Sequence, residues 1–292
     1  MRAAICYLTW NRFQYTKKSL ASIVQYTNRD DYELILWDNG STEEGMIDWL
    51  REFCKEHKFN YLFFNKNEGL TKAMNNQMKI MDYLGKFDVF CHIANDYFMP
   101  EGWLDGVFQV IPHKKVGIVG LNPEHKTFKT ESINGLNLSI IEPDGNVSGA
   151  HFCIPKKTYD KFGCFQTVVS GYGQQDANYC LKVKLFPDEQ WCYYLPLVQY
   201  PSVLGSSLNI YPQYQSKMST RLRLSGSDPV GGSSYRNLLT CLKNDYKAGK
   251  LSKDQLLAKY RDILYVKFDI AEVKESSFNS NELTDILANL GD

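Results

Sequence analysis

Apolar residues along this chain fall into short blocks that alternate with longer stretches carrying a helical stripe. Ala3–Thr9 (AAICYLT) is an apolar run bounded by polar residues, which predicts a buried strand. Tyr15–Tyr26 follows with Leu20, Ile23 and Val24 on one helical face. Glu33–Trp37 predicts a second strand, ended by Asp38-Asn39-Gly40. Ser41 and Glu44 have the spacing of a capping box and open a helix carrying Met46, Ile47, Trp49, Leu50 and Phe53. Tyr61–Phe64 reads as a third strand, Asn67-Glu68-Gly69 as a turn and Leu70–Leu84 as a helix. Val89, Phe90, Cys91 and Ile93 form a fourth strand that stops at Asn95-Asp96. Strictly alternating strands and helices predict an α/β fold with a mostly parallel sheet flanked by helices on both faces. Ligands in such sheets bind in the crevice at the carboxyl ends of the strands.

Past Trp103 a helix runs to about Ile111, and Val116–Gly120 is another strand. The pattern then changes. Pro143-Asp144-Gly145-Asn146 is a turn signal inside Leu136–Ile154, which predicts a hairpin over that stretch. Lys156–Phe162 is a short helix stopped by Gly163; a helix at about Gln175–Leu185 and a strand at Trp191–Leu195 follow. Residues 1–205 thus read as one domain. Residues 206–292 read as an appendage, a loop arm rich in Ser, Gly, Pro and Tyr followed by C-terminal helices packing on the core.

Composition narrows the classes. The chain has 292 residues, 43% of them apolar, so a sizeable core is affordable. Its formal net charge is zero, which argues against coating nucleic acid over the whole surface. No run of about 18 apolar residues exists to span a membrane. Eight cysteines sit singly, with no CxxC pair, as expected of reduced thiols in a cytoplasmic protein. No Gly-x-Gly-x-x-Gly follows the first strand and no Walker lysine motif appears.

Three carboxylates stand where chemistry is expected, and each has an ordinary alternative. Asp38 ends a strand beside a glycine turn. It could accept a hydrogen bond from a nucleobase imide or a ribose hydroxyl, or simply cap the turn. Asp96 ends the fourth strand and could hold Mg²⁺ or Mn²⁺ on a diphosphate, or cap the helix near Pro100. Asp176, after Gly171-Tyr172-Gly173, begins a helix and could act as a general base, or be a common N-terminal acid. The histidines are scattered, and none shows His-x-x-x-His spacing. Lys217, Arg221 and Arg223 make a small basic cluster beside Tyr211 and Tyr214 in the arm, either a solvated loop or a lid over an acceptor or phosphate.

Taken together, several segments resemble the family 2-type glycosyltransferases with the GT-A (Rossmann-like) fold. Tyr7-Leu8-Thr9-Trp10-Asn11-Arg12 resembles the family's first strand and turn. Leu34–Thr42, with Asp38-Asn39-Gly40-Ser41-Thr42, resembles its second strand. Asn67-Glu68-Gly69-Leu70-Thr71-Lys72-Ala73-Met74-Asn75 resembles its Asn-x-Gly…Ala-x-Asn segment. Ile93-Ala94-Asn95-Asp96, with Pro100 and Trp103, resembles the Asp-x-Asp region. Gly149-Ala150, Gly163-Cys164-Phe165 and Gly171–Leu181 resemble the acceptor half. The match covers about residues 3–205.

The resemblance implies an inverting transfer of a sugar from a nucleoside diphosphate, UDP favoured, to a hydroxyl of a glycan, a small molecule or a modified base in DNA. Asp38 would hold the base, with Thr9, Asn11, Arg12, Asn67, Gly69, Lys72 and Asn95 around the donor. Asp96 would bind Mn²⁺ or Mg²⁺, Asp176 would be the base, and Trp103, Tyr172 and Gly173 would face the acceptor. Three departures stand out. Ala94 replaces the first acid of Asp-x-Asp, Gln175 replaces the glutamate before the base, and Val198-Gln199-Tyr200-Pro201 lacks the usual metal histidine. They imply a weakly held metal, or one leaning on the diphosphate and water. The alternatives are a non-catalytic nucleotide-sugar-binding or scaffold protein, and a nucleotidyltransferase of similar fold.

Overall fold

The computed structural model describes residues 1–121, 129–141, 146–147, 151–165, 175–195, 202–203, 232–261 and 268–290. The first hundred residues alternate as the apolar pattern predicts: β1 (Ala3–Thr9), α1 (Phe13–Tyr26), β2 (Tyr32–Asp38), α2 (Met46–His57), β3 (Asn60–Phe64), α3 (Leu70–Leu84) and β4 (Val89–Ala94). β5 (Tyr97–Phe98), α4 (Trp103–Val110) and β6 (Val116–Gly120) follow. The second half holds β7 (Thr130–Ile133), β8 (Leu136–Ile140), β9 (His151–Pro155), α5 (Lys156–Phe162), α6 (Gln175–Val183), β10 (Trp191–Tyr194) and β11 (Ser202–Val203). The chain closes with α7 (Gly232–Lys247), α8 (Lys253–Arg261), β12 (Val273–Ser276) and α9 (Ser280–Asn289).

Ten of these strands join one sheet, in the order β12-β3-β2-β1-β4-β9-β6-β10-β8-β7. β3, β2, β1 and β4 are parallel, and β6 and β10 run the same way beyond the antiparallel β9. The chain moves outward from β1 to β2 and β3, then returns to β4 on the other side of β1. That reversal makes the carboxyl ends of β1 and β4 the switch point of the sheet, the place where ligands bind in folds of this kind. β1 is buried along its whole length, as a strand covered on both faces must be. Its alternate residues feed two cores. Ala4, Cys6 and Leu8 meet α3, α5 and α6, whereas Ala3, Ile5 and Tyr7 meet α1, α2 and α4.

Two expectations change. The hairpin expected over Leu136–Ile154 does not form: β8 pairs with β7 and β10, while β9 inserts between β4 and β6. The tight hairpin lies one strand earlier, at Asn134-Gly135, whose φ values of 50° and 80° suit a two-residue turn. Pro143–Gly145 lie outside the described residues. β12 is the second change. It adds antiparallel to β3 and is fastened by Arg51, whose Nε and Nη2 each donate to Glu275 at 2.6 Å. α9 begins with a capping box at Asn279 and buries Leu283 and Ile286 in the core shared with α3. The arm at 204–231, with its basic cluster, lies outside the described residues.

Candidate active site

The switch point is built around a knot at the end of β1. Asn95 is buried, and its Nδ2 lies 2.9 Å from Thr9 Oγ1, 2.8 Å from the Asn11 carbonyl and 2.9 Å from Thr16 Oγ1. This ties the end of β4 to the turn after β1. Both residues of that turn are left-handed, Asn11 at φ 53° and Arg12 at φ 61°. Non-glycine residues there cost of order 1–3 kcal/mol each unless their surroundings fix them. Here they are fixed. Asn11 N–H donates to Ser41 Oγ at 2.7 Å, and Asn11 Oδ1 accepts from Thr42 N–H at 2.7 Å. Arg12 N–H and Phe13 N–H donate to the two oxygens of Glu43, each at 2.7 Å. The turn aims the Arg12 guanidinium at Asp96, with Nη1 2.5 Å from Oδ2 and both side chains 17% exposed.

Asp38 lies beneath this turn. It is fully buried, and its carboxylate accepts from Ser41 N–H at 2.9 Å and from the Ser41 hydroxyl. Burial outweighs those hydrogen bonds and pushes its pKa up to about 6. Ser41 therefore does not cap α2. The residue before that helix is Gly45, which offers no side-chain cap. The expected capping box is replaced by a brace in which Ser41 joins Asp38 to Asn11 and Glu43 takes the first N–H groups of α1. Gly40, at φ 78°, lets this loop meet the next one, since a Cβ there would stand 2.4 Å from the Lys66 carbonyl carbon.

A second knot lies alongside. Asn39 Nδ2 donates to Asn67 Oδ1, and Asn39 Oδ1 accepts from Glu68 N–H, both at 2.9 Å. Asn67 Oδ1 also accepts from Gly69 N–H at 2.9 Å. Lys72 Nζ is held by Glu68 at 2.5 Å and by Glu272 at 3.1 Å, and Lys66 reaches the same two carboxylates. The C-terminal segment thus neutralises the two lysines nearest this loop.

Asp176 is partly exposed at the start of α6. A Cβ on Gly117, early in β6, would meet Val183; Cys192 lies against the Cys180 carbonyl; and Tyr194, at the end of β10, donates to the Asn146 carbonyl at 3.0 Å. α6 therefore runs antiparallel to β6 and β10, and its first turn lies at their carboxyl ends. There Asp176 Oδ1 accepts from Ala177 N–H at 2.8 Å and Oδ2 from Asn146 Nδ2 at 3.2 Å. The way into this helix is clamped from both sides. Asn75, fully buried, donates to the Phe165 carbonyl at 2.9 Å and accepts from Phe165 N–H at 2.8 Å. Tyr179 donates to the Gly163 carbonyl at 3.1 Å and Lys182 to the Cys164 carbonyl at 3.0 Å. Lys182 is 1% exposed, and burial brings its pKa down to about 7.

Of the residues singled out in the sequence, Thr9, Asn11, Arg12, Asn95, Asp96 and, through Ser41, Asp38 come together. Asn67, Gly69 and Lys72 form the adjoining knot, and Asp176 stands on the same edge of the sheet. Thr9, Asp38 and Asn95 are buried and bonded within the protein, so in this structure they shape the crevice from below. The acceptor role expected of Trp103 is corrected. It is wholly buried in α4, and its indole N–H donates to Thr27 Oγ1 at 2.9 Å. Tyr172 and Gly173 lie outside the described residues. Glu43 and Glu272 were not anticipated; Asn39, Ser41 and Asn75 stood inside the quoted motifs, Ser41 as a helix cap, and their polar side chains beside apolar runs were the available signal.

The described residues do not by themselves make a complete site for a divalent cation. Among the described residues no group of three His, Cys, Asp or Glu side chains is disposed to bind a metal. Asp96 brings one carboxylate, already joined to a guanidinium. His151, opposite Ile93 in the sheet, is fully buried against the Tyr97 ring, with neither nitrogen hydrogen-bonded and burial holding its pKa down to about 3.

Fold and crevice together define an α/β protein of the GT-A type. The family model for glycosyl transferase family 2 matches residues 4–167, and the chain belongs to that family. No curated protein is close enough in sequence to count as a relative. Among solved structures, the chain is similar to a mannosyltransferase, PcManGT from Pyrobaculum calidifontis, in complex with GDP-Man and Mn²⁺. The identity is 17% and the TM-score 0.52, over 68% of this chain and 58% of that one. It is also similar to GalNAc-T7 with UDP, GalNAc and Mn²⁺ (14%, TM-score 0.53, 83% and 55%) and to S. aureus TarS (14%, 0.53, 73% and 38%). At these identities the likeness concerns the fold, and the chain spans less than two thirds of each of these proteins. Among the described residues no helix is long and apolar enough to cross a membrane.

Proposed function

We propose that the chain is an inverting glycosyltransferase that moves a sugar from a nucleoside-diphosphate sugar, UDP favoured, to a hydroxyl of a glycan, a small molecule or a hydroxylated base in DNA. The observation that carries this reading, beyond family membership, is Asp176. It is a partly exposed carboxylate on the carboxyl edge of the sheet, fixed by Asn146 and its own helix, on the same edge as the Arg12–Asp96 crevice. The acceptor oxygen forms its bond to the anomeric carbon on the face opposite the diphosphate. The anomeric carbon–oxygen bond breaks, its electron pair leaves with the diphosphate, and the acceptor's proton passes to Asp176. The donor diphosphate lies at Arg12, with its base toward Asn11, Asn67 and Gly69. A divalent cation is present in two of the similar structures.

The test is Asp176→Asn, assayed by release of nucleoside diphosphate from a panel of UDP- and GDP-sugars. The variant is expected to fold and to bind UDP or GDP as the wild type does, while turnover falls by about 10²–10⁴-fold, the usual contribution of a positioned base. Unchanged turnover overturns the assignment of Asp176, and donor binding without turnover in the wild type favours the scaffold reading.

A further inference from the structure

β12 comes from the far end of the chain and brings Glu272 to the carboxyl end of β3. The segment around it is firmly tied. Phe268 is buried, its ring edge-on to Trp37 and to Phe64 with centroids 5.7 Å away in each case. Arg51 grips Glu275. Ser277 N–H donates to the Tyr61 carbonyl at 3.0 Å, and Ser277 Oγ accepts from Tyr61 N–H at 2.9 Å. The Glu272 carbonyl accepts from Asn65 N–H at 3.0 Å, just past the end of β3. The register of β12 on β3 shifts between Val273 and Glu275, which makes Lys274 an extra residue. Val273 therefore packs on the α3 side although Arg51 holds Glu275 on the α2 side. Bulges re-aim the side chains beside them. Next to this one, Glu272 reaches the loop before α3: Oε1 lies 3.1 Å from Lys66 Nζ and Oε2 3.1 Å from Lys72 Nζ.

We propose that Glu272 is a positioning residue for the donor: it holds Lys66, Lys72 and the loop between them where the base of the nucleotide sugar binds, which makes the C-terminal segment a working part of the transferase site. This rests on the transferase reading, with the base toward Asn67 and Gly69, and deepens it. The loop is held from two sides. Asn39 bonds Asn67 and Glu68 from the end of β2, and Glu272 bonds the flanking lysines from β12. The start of α3 shows why the second hold matters. Gly69 gives it no side-chain cap, its first turn carries no acid, and Lys72 stands in that turn. The helix dipole disfavours a cation there. Glu68 and Glu272 together supply the opposing charge. Without Glu272, both ammonium groups would turn to Glu68, and their mutual repulsion would loosen the loop that carries Asn67.

Positioning and competition predict opposite signs. If Glu272 positions the loop, Glu272→Gln weakens nucleotide binding. If it competes with the donor's phosphates for the two lysines, Glu272→Gln tightens it. The experiment is calorimetric titration of UDP and GDP into the full chain and its variants in buffer containing Mn²⁺, together with nucleoside diphosphate release from UDP- and GDP-sugars. Thermal melts without ligand confirm that each variant is folded. Glu272→Gln is expected to weaken binding and raise the donor KM by about tenfold while kcat stays within about twofold, because contacts to the unreacting end of the donor are made equally in the ground and transition states. Glu275→Gln loosens the same strand at Arg51; it is expected to lower Tm and leave Kd and KM unchanged. Should Glu272→Gln fail to fold, Lys66→Met, at an exposed lysine of the same cluster, is expected to lose about threefold in affinity. Folded Glu272→Gln, or in its absence Lys66→Met, binding as tightly as the wild type or tighter overturns the inference and leaves the transferase reading standing. So does a fall in kcat at unchanged KM, or Glu275→Gln losing as much affinity as Glu272→Gln. A wild type that binds neither UDP nor GDP overturns both.

Discussion

Replacing Asp38 with asparagine should stabilise the protein at neutral pH, although the substitution lies within a family motif. The carboxylate is fully buried, and the Ser41 N–H and hydroxyl do not fully offset the loss of water. Its pKa rises from an ordinary 3.8 to about 6. Two pH units correspond to about 3 kcal/mol. The folded state holds this proton more tightly than the unfolded chain does. The penalty is therefore complete above pH 6, shrinks as the pH falls, and is gone below about pH 4. Asparagine carries no charge to bury, and its side-chain oxygen can still accept from Ser41 N–H. Urea unfolding of wild type and Asp38→Asn across pH 4–8 is expected to show the variant ahead by about 1–3 kcal/mol at pH 8. The gap should close toward pH 4 with a slope of up to about 1.4 kcal/mol per unit. A variant less stable than the wild type at pH 8, or a gap that ignores pH, refutes the reasoning. Either would mean that the Ser41 brace outweighs burial.

Two further substitutions probe the approach to Asp176. Asn75→Ala leaves both the N–H and the carbonyl of Phe165 without their buried partner. It should cost about 2–4 kcal/mol in chemical denaturation, and a loss below 0.5 kcal/mol would show that the clamp is slack. Lys182→Met removes a buried ammonium whose pKa of about 7 lies far below its ordinary 10.5. The folded state gives up this proton before the unfolded chain does, so wild-type stability climbs as pH rises from 7 toward 10. The methionine variant should be ahead at pH 6 and lose that lead by pH 10, as read by thermal melts.

The parallel half of the sheet was legible because strands covered on both faces are continuous apolar runs, and the strands Ala3–Thr9 and Val116–Gly120 carry the boundaries that pattern predicts, as the helix Leu70–Leu84 does those of its own stripe. The second half was less legible for a physical reason. Pro143–Asn146 and Asn134-Gly135 are both good turn signals, and what separates them is that β9 finds partners in β4 and β6, far away in sequence. Val273–Ser276 (VKES) shows no apolar block at all. It is a strand because Arg51 grips Glu275 and β3 offers an open edge, and neither fact is local.

The same division runs through the candidate site. A carboxylate that ends a buried run must arrive at the carboxyl edge, so the positions of Asp38 and Asp96 follow from the pattern. What each one meets there is decided by other crossovers. Ser41 covers the first, and Arg12, turned left-handed by Glu43, Ser41 and Asn95, claims the second. A motif thus specifies where charge is delivered and leaves open what answers it. That is why the loss of one acid at Ala94 is not the whole account of Asp96: the guanidinium it meets comes from a turn on the neighbouring strand, which Ser41, Thr42 and Glu43 hold from outside the acidic motif and Asn95 from within it.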